Sequence, residues 1–289
     1  MESLFYTVLS EQAVHCHVCE HHCVIKDNDM GICGVRKNNN GVLKVLNYNK
    51  TISVSIDPIR KKPLYHFLQN TNTYSFAAIG CNLRCAWCQN YSISQSQHTF
   101  NSIPGKPIKP QQHVDQAIHY GCPSISYTYS EPTIYVEYAL ETMKLAHKQG
   151  LKNIWVTNGF MSEQTIRAII PYLDAVNIDY KASSEEIYSS YIGGRPEPIL
   201  RNMKLFKEAS VHIEVTTLII PGVNDSTKEL TSIVEDLTNT LRHDFIWHIS
   251  RFFPSYKMKS TSPTPMNTLR TAKDIGTSYG IQHIYLGNV

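Results

Sequence analysis

Seven of the eight cysteines in this chain fall into two tight groups, and their spacing is the first chemical signal in the sequence. Cys81, Cys85 and Cys88 stand in "GCNLRCAWCQN" at a C-x3-C-x2-C spacing. Three thiols are an odd number for a disulfide pair and too few to close a four-iron cluster, which normally takes four cysteines. Such a set leaves one position for an exogenous ligand, as catalytic zinc sites do. Gly80 ahead of the group and polar Asn82 and Arg84 within it suit a loop rather than a packed core. Cys16, Cys19, Cys23 and Cys33 follow C-x2-C-x3-C-x9-C, enough thiols to close a tetrahedral site. Zinc and a second iron-sulfur cluster both fit that count, and His15, His17, His21 and His22 are further candidate ligands. A structural zinc is the favoured reading, because a filled coordination sphere is a common way to stabilise a small extension. Cys122 stands alone and reads as a buried, inert thiol.

These groups need elements to carry them. A chain of 289 residues, 42% hydrophobic and 18% charged, has room for one large α/β domain. From about residue 74, short β-rich runs alternate with amphipathic ones. "YSFAAIG", "SISYTYS", "NIWVTN", "DAVNIDY", "HIEVTTLII" and "FIWHIS" read as buried strands, with "HIYLG" as a seventh. Ser226 and Glu229 form a capping-box pattern ahead of a helical stripe that begins at Leu230. Repeated βα units imply a parallel sheet, here a partial or complete parallel (β/α) barrel over residues 74–289, with a doubly wound sheet as the alternative. Residues 1–73 read as a small cysteine-rich, metal-binding N-terminal extension, with strands in "VLKVLNY" and "TISVSI".

In such a fold, functional groups gather at the C-terminal ends of the strands. The three-cysteine loop follows the first strand. Glu131 follows the second, Thr157 and Asn158 end the third, and Asp179 and Lys181 end the fourth. His248 and Arg251 bracket the end of the sixth and are the substrate-site candidates, Arg251 as a grip for a carboxylate or phosphate. Glu214 sits inside the apolar fifth strand, pointing either into the barrel or out to water near the strand start.

Charge and hydropathy exclude several classes. A net charge of +3 gives no electrostatic footprint for nucleic acid. No run approaches the ~18 apolar residues of a membrane helix, and the N-terminus lacks the pattern of a secretion signal. The expected location is cytoplasmic, where so many cysteines point to metal or redox chemistry rather than to disulfides.

C-x3-C-x2-C after the first strand, with Trp87 just before the last cysteine, resembles the radical S-adenosylmethionine (radical SAM) superfamily. The resemblance implies a 4Fe-4S cluster on Cys81, Cys85 and Cys88 whose open iron is chelated by the amino and carboxylate groups of SAM. One-electron reduction then gives methionine and a 5′-deoxyadenosyl radical that removes a hydrogen atom from substrate. A flavodoxin- or ferredoxin-type donor is implied as well. So are cofactor-binding roles for Trp87, Glu131, Thr157, Asn158, Asp179 and Lys181. Glu131 would accept from the methionine ammonium, Thr157 and Asn158 would bind ribose or carboxylate, and Asp179 with Lys181 would hold the carboxylate or a cation.

"TNGF", "NIDYK" and "IIPGVND" resemble the activating-enzyme branch, typified by pyruvate formate-lyase activase, in which an acidic residue often precedes the Thr-Asn pair. Val156 stands there in this chain, a departure that argues against a close activase assignment. "CHVCEHHC", "GICGVRKNNNG", "DPIRKKPLYHFL" and "WHISRFFPSYKM" resemble the AmmeMemoRadiSam system radical SAM enzyme family, which implies Memo-like and AMMECR-like proteins as partners. The resulting expectation is a radical SAM enzyme acting on a small molecule or peptide, with an activase that installs a glycyl radical on a partner enzyme as the alternative. A non-catalytic metal-binding interaction protein is a third reading. The suitable groups at four consecutive strand ends argue against it.

Overall fold

The β-rich runs pair into one nine-stranded sheet in the computed structural model, which describes residues 1–95 and 102–289. Its strands are β6 (Lys50–Pro58), β7 (Asn72–Ala78), β8 (Lys106–Pro107), β9 (Ser124–Tyr127), β10 (Lys152–Thr157), β11 (Ala175–Asp179), β12 (His212–Ile219), β13 (Ile246–Arg251) and β14 (His283–Gly287). Five short strands precede them: β1 (Tyr6–Val8), β2 (Val14–Cys16), β3 (Val24–Ile25), β4 (Arg36–Asn39) and β5 (Val42–Val45).

From β9 to β14 every neighbour is the next strand in sequence, β7 lies beside β9 while the short β8 sits at the far edge, and every pairing from β7 to β14 is parallel. A doubly wound sheet reverses its order at a switch point; this one does not, so its crossovers all run on one face. The flanking helices confirm the arrangement. Those spanning Pro110–His119, Val136–Lys148, Glu163–Ile169, Glu197–Glu208, Thr227–Leu241 and Met266–Ser278 each pack on the next in the series. Among the described residues no pairing joins β14 to the β8 edge, which makes the sheet a partial barrel.

The edge beyond β7 holds a difference from the sequence reading. Residues 50–58, placed there in the extension, form β6 and pair antiparallel with β7 from Thr51 opposite Ala78 to Pro58 opposite Asn72. "TISVSI" has the same local alternation whichever sheet it joins, and only the long-range pairing assigns it. The segment after β6 closes the N-terminal ends of the strands. Ile59 and Leu64 pack there with Ile154 and Ala175, and Asn177 donates to the Pro63 carbonyl at 2.9 Å.

Upstream, β1, β2 and β3 form a small antiparallel sheet, and β4 and β5 a hairpin. Its two-residue turn is Asn40-Gly41, with φ of +52° and +78°, as a tight hairpin turn requires. Two groups of ion pairs fasten these pieces to the barrel. Arg36 reaches Glu137 at 2.6 Å, both side chains buried, and Glu20 meets Arg195 and Arg201 at 2.9 Å each. Ser226 caps its helix by accepting from the Glu229 amide, but the Glu229 carboxylate turns away to the amides of Ser183 and Ser184. Half of the capping box therefore serves the neighbouring loop. No helix among the described residues is long and apolar enough to cross a membrane.

Candidate functional site

Gly80 starts the site. It leaves β7 with φ of +110°, and a Cβ there would stand 3.0 Å from Val35 and 3.2 Å from Ile134, so only glycine fits. The cysteine loop that follows is held by backbone bonds at both ends. Gly80 N donates to Ile93 O at 2.8 Å, and Arg84 N and Ala86 N donate to Ile192 O and Tyr191 O at 2.7 and 2.9 Å. Cys81, Cys85 and Cys88 are all free thiols. They open into one cavity of about 340 Å³ at the C-terminal ends of the parallel strands, large enough for a small-molecule ligand.

Trp87, Glu131, Thr157, Asn158, Asp179 and Lys181 line the same cavity. Glu131 is buried and heavily bonded: Oε1 accepts from Thr133 N, Thr133 Oγ1 and Thr157 Oγ1, at 3.0, 2.6 and 2.7 Å, while Oε2 accepts from Asn158 N at 2.8 Å. Burial raises its pKa against the pull of those donors. Oε2 keeps a lone pair for a further donor. Asn158 Nδ2 donates to Asn82 Oδ1 at 2.8 Å and lies 3.7 Å from the Cys81 sulfur, so its amide and the Thr157 hydroxyl position the loop and Glu131. Lys181 pairs with Asp179 at 3.0 Å. Burial works against the Lys181 ammonium, but the charges of Asp179 and Cys85 outweigh it and raise the pKa.

Burial pushes the Cys85 thiol up to about 11, with Lys181 pulling the other way, and burial lifts Cys81 well above the ordinary range. Leu83 N donates to Cys81 at 3.4 Å, and Cys88 and Ser94 Oγ share a hydrogen bond at 3.0 Å. Hydrogen bonds of this kind orient metal-bound sulfur and tune its potential. Three thiols lining one cavity, with polar partners beside them, fit an iron-sulfur cluster bound through three cysteines.

His248 and Arg251 are not on the cavity wall. Opposite Thr216 in the β12–β13 register, His248 bonds Glu214 Oε2 at 2.6 Å, while Arg251 Nε donates to the Thr264 carbonyl at 2.8 Å. Glu214 points inward at the floor of the barrel, where it also accepts from His212 and from the amides of Tyr65 and His66. Cys122 is buried and lies outside both cysteine groups.

Cys16, Cys19, Cys23 and Cys33 line a second cavity of about 10 Å³, with His21 beside them, close to the size of a single water-sized sphere. Burial lifts Cys19 well above the ordinary thiol range and Cys33 to about 11, and the charges of Cys16 and Cys23 add to both shifts. His21 also touches the first site, bonding Asn82 O at 2.7 Å.

Several lining residues carry no motif. Lys62 and Tyr129 meet on Asp57 behind the wall: Lys62 bonds it at 2.6 Å and Tyr129 donates to the same carboxylate. Thr216, Leu218 and Ser250 also line the wall, and strand alternation was their available signal, since Thr216 and Leu218 are two apart on one face. For Lys62 no local signal existed.

Residues 77–233 match the model of the Radical SAM superfamily. The chain is 40% identical over its whole length to an uncharacterized protein of Methanocaldococcus jannaschii, 85% of which is covered. It is 28% identical over 105 residues to the isethionate sulfite-lyase activating enzyme of Desulfovibrio desulfuricans, a match spanning 36% of this chain and 34% of that one. A radical SAM methyltransferase from Sphaerobacter thermophilus superposes with a TM-score of 0.58 at 14% identity, covering 76% of this chain and 67% of the other.

Proposed function

This chain belongs to the radical SAM superfamily, and we propose that its cavity binds SAM beside a 4Fe-4S cluster held by Cys81, Cys85 and Cys88, and acts on a small-molecule or peptide substrate. One observation carries the reading: three free thiols, a buried carboxylate with an open lone pair and a lysine-aspartate pair all face one cavity. When bound, such a cluster supplies the electron that splits SAM into methionine and the radical that takes a hydrogen atom from substrate.

The chain's own residues do the rest. Glu131 Oε2 accepts from the methionyl ammonium, and Thr133 and Thr157 fix that carboxylate from its other oxygen. Lys181, oriented by Asp179, meets the methionyl carboxylate. Asn158 and Asn82 hold the Cys81 loop in place. Trp87, 3% exposed, screens the sulfurs from water, which protects a reactive intermediate. A flavodoxin- or ferredoxin-type protein is the electron donor in this reading, Memo-like and AMMECR-like proteins are the candidate partners, and a structural zinc fills the N-terminal cysteine site.

The test is anaerobic reconstitution with SAM and dithionite, following 5′-deoxyadenosine. Production by the native protein and its loss in Cys85→Ser, together with about four irons, are expected. A fully clustered protein that neither binds nor cleaves SAM would end the proposal. Zinc counted in the same sample separates one zinc from about four further irons at the N-terminal cysteines.

The local likeness to an activating enzyme favours a second reading, installation of a glycyl radical on a partner enzyme. Val156 lines the cavity where that branch often carries an acid, so the first reading is preferred. A glycyl radical signal on a candidate partner mixed with the reduced protein would reverse that preference.

A further inference from the structure

We propose that His15, His17 and His22 form a separate, solvent-facing site for a divalent transition-metal ion, distinct from both cysteine groups. In β2 the side chains alternate: Val14 and Cys16 are buried, while His15 between them is partly exposed. His17, two residues beyond His15, continues on the outer face. The turn after Cys19, closed by His22 N donating to Cys19 O at 3.1 Å, brings His22 back to the same face. The ring centroids are 4.4 Å apart for His15 and His17, 5.9 Å for His15 and His22, and 6.4 Å for His17 and His22.

One nitrogen from each ring lies within 4.8 Å of the others. Tetrahedral zinc with Zn–N bonds of about 2.0–2.1 Å places its nitrogens about 3.3 Å apart, a closure that rotation of partly exposed rings supplies. Thr7, on neighbouring β1, bonds His17 Nε2 at 3.1 Å and orients that ring, as an outer-shell partner does. His15 and His17 lie across the pleat from Cys16, and none of the three histidines lines the cysteine cavity, whereas His21 does. Imidazole ligands suit zinc, nickel, cobalt and copper, and three of them leave a position for water or for a side chain of another protein.

Cobalt(II) is the probe, added anaerobically to protein whose cysteine sites are already loaded with iron and zinc and freed of excess metal. One further equivalent is expected after gel filtration, with weak ligand-field bands and no thiolate-to-cobalt charge transfer. His15→Asn/His17→Asn should lose that equivalent while keeping its iron, zinc and circular dichroism spectrum. Should the double variant fold poorly, His22→Asn, in the exposed turn, is expected to show the same loss. The proposal is overturned if no further equivalent binds, if binding survives the substitutions, or if the added cobalt shows a thiolate signature. None of these outcomes depends on SAM cleavage.

Discussion

Lys181 is the side chain on which two charges converge, since it pairs with Asp179 and stands close enough to Cys85 for each to shift the other's pKa. Replacing it by glutamine removes the cation without emptying the space. In Lys181→Gln, SAM affinity measured by equilibrium dialysis on reconstituted protein should fall about tenfold, the effect of losing about 1.4 kcal/mol. Iron content should stay unchanged, because the cysteine ligands remain. An affinity equal to the native protein's would remove Lys181 from the binding set. Thr157 and Asn158 line the same cavity, and their polar atoms also bond Glu131, Asn82 and Cys81.

Glu214 shows how one residue ties elements together. From β12 it bonds His248 on β13 and the amides of Tyr65 and His66, which fixes the segment closing the barrel floor. Burial alone would raise its carboxyl, but the bonds from His212, His248 and those amides prevail and hold it at about 2, against an ordinary 4.5. Stability from this group is therefore fully present above the unfolded-state value and is lost as pH falls toward 2. The difference corresponds to on the order of 3 kcal/mol. Glu214→Gln should lower stability at neutral pH by about that amount and flatten the acid limb of the native protein's profile. Urea midpoints across an acidic pH series check this, and parallel profiles for the two proteins would refute it.

The molecule as a whole depends on keeping its N-terminal strands against the barrel. Arg36 on β4 holds both oxygens of Glu137 and also Ser3 and the Ile134 carbonyl, and both side chains are buried. Arg36 keeps the Glu137 carboxyl below its usual range despite burial. Removing one partner strands a buried charge, so Glu137→Ala should cost about 3–5 kcal/mol of stability. Urea unfolding of the metal-loaded protein under anaerobic conditions measures it. A cost below about 1 kcal/mol would mean that the Arg36 charge finds water and that this junction does not hold the strands in place. The same face carries the Asn82–His21 contact, which joins the two cysteine sites.

Much of this could be read before the chain was folded. Cysteine spacing, strand alternation and the polar strand ends are properties of near neighbours, and the backbone repeats of 2.0 and 3.6 residues convert them directly into faces and loops. The fold class followed from the repetition of βα units for the same reason. Folding decided what depends on distant partners. β6 could join either sheet until it met β7. Glu214 could face in or out until the Tyr65 and His66 amides reached it. His248 and Arg251 sit near the right strand end but turn to Glu214 and Thr264, because a polar group entering the interior goes to whichever partner can satisfy it. Cys16, Cys19 and Cys23 share a few residues of sequence with three histidines; the pleat of β2 parts His15 from Cys16, and the turn after Cys19 returns His22 to the outer face while the cysteines line their own cavity.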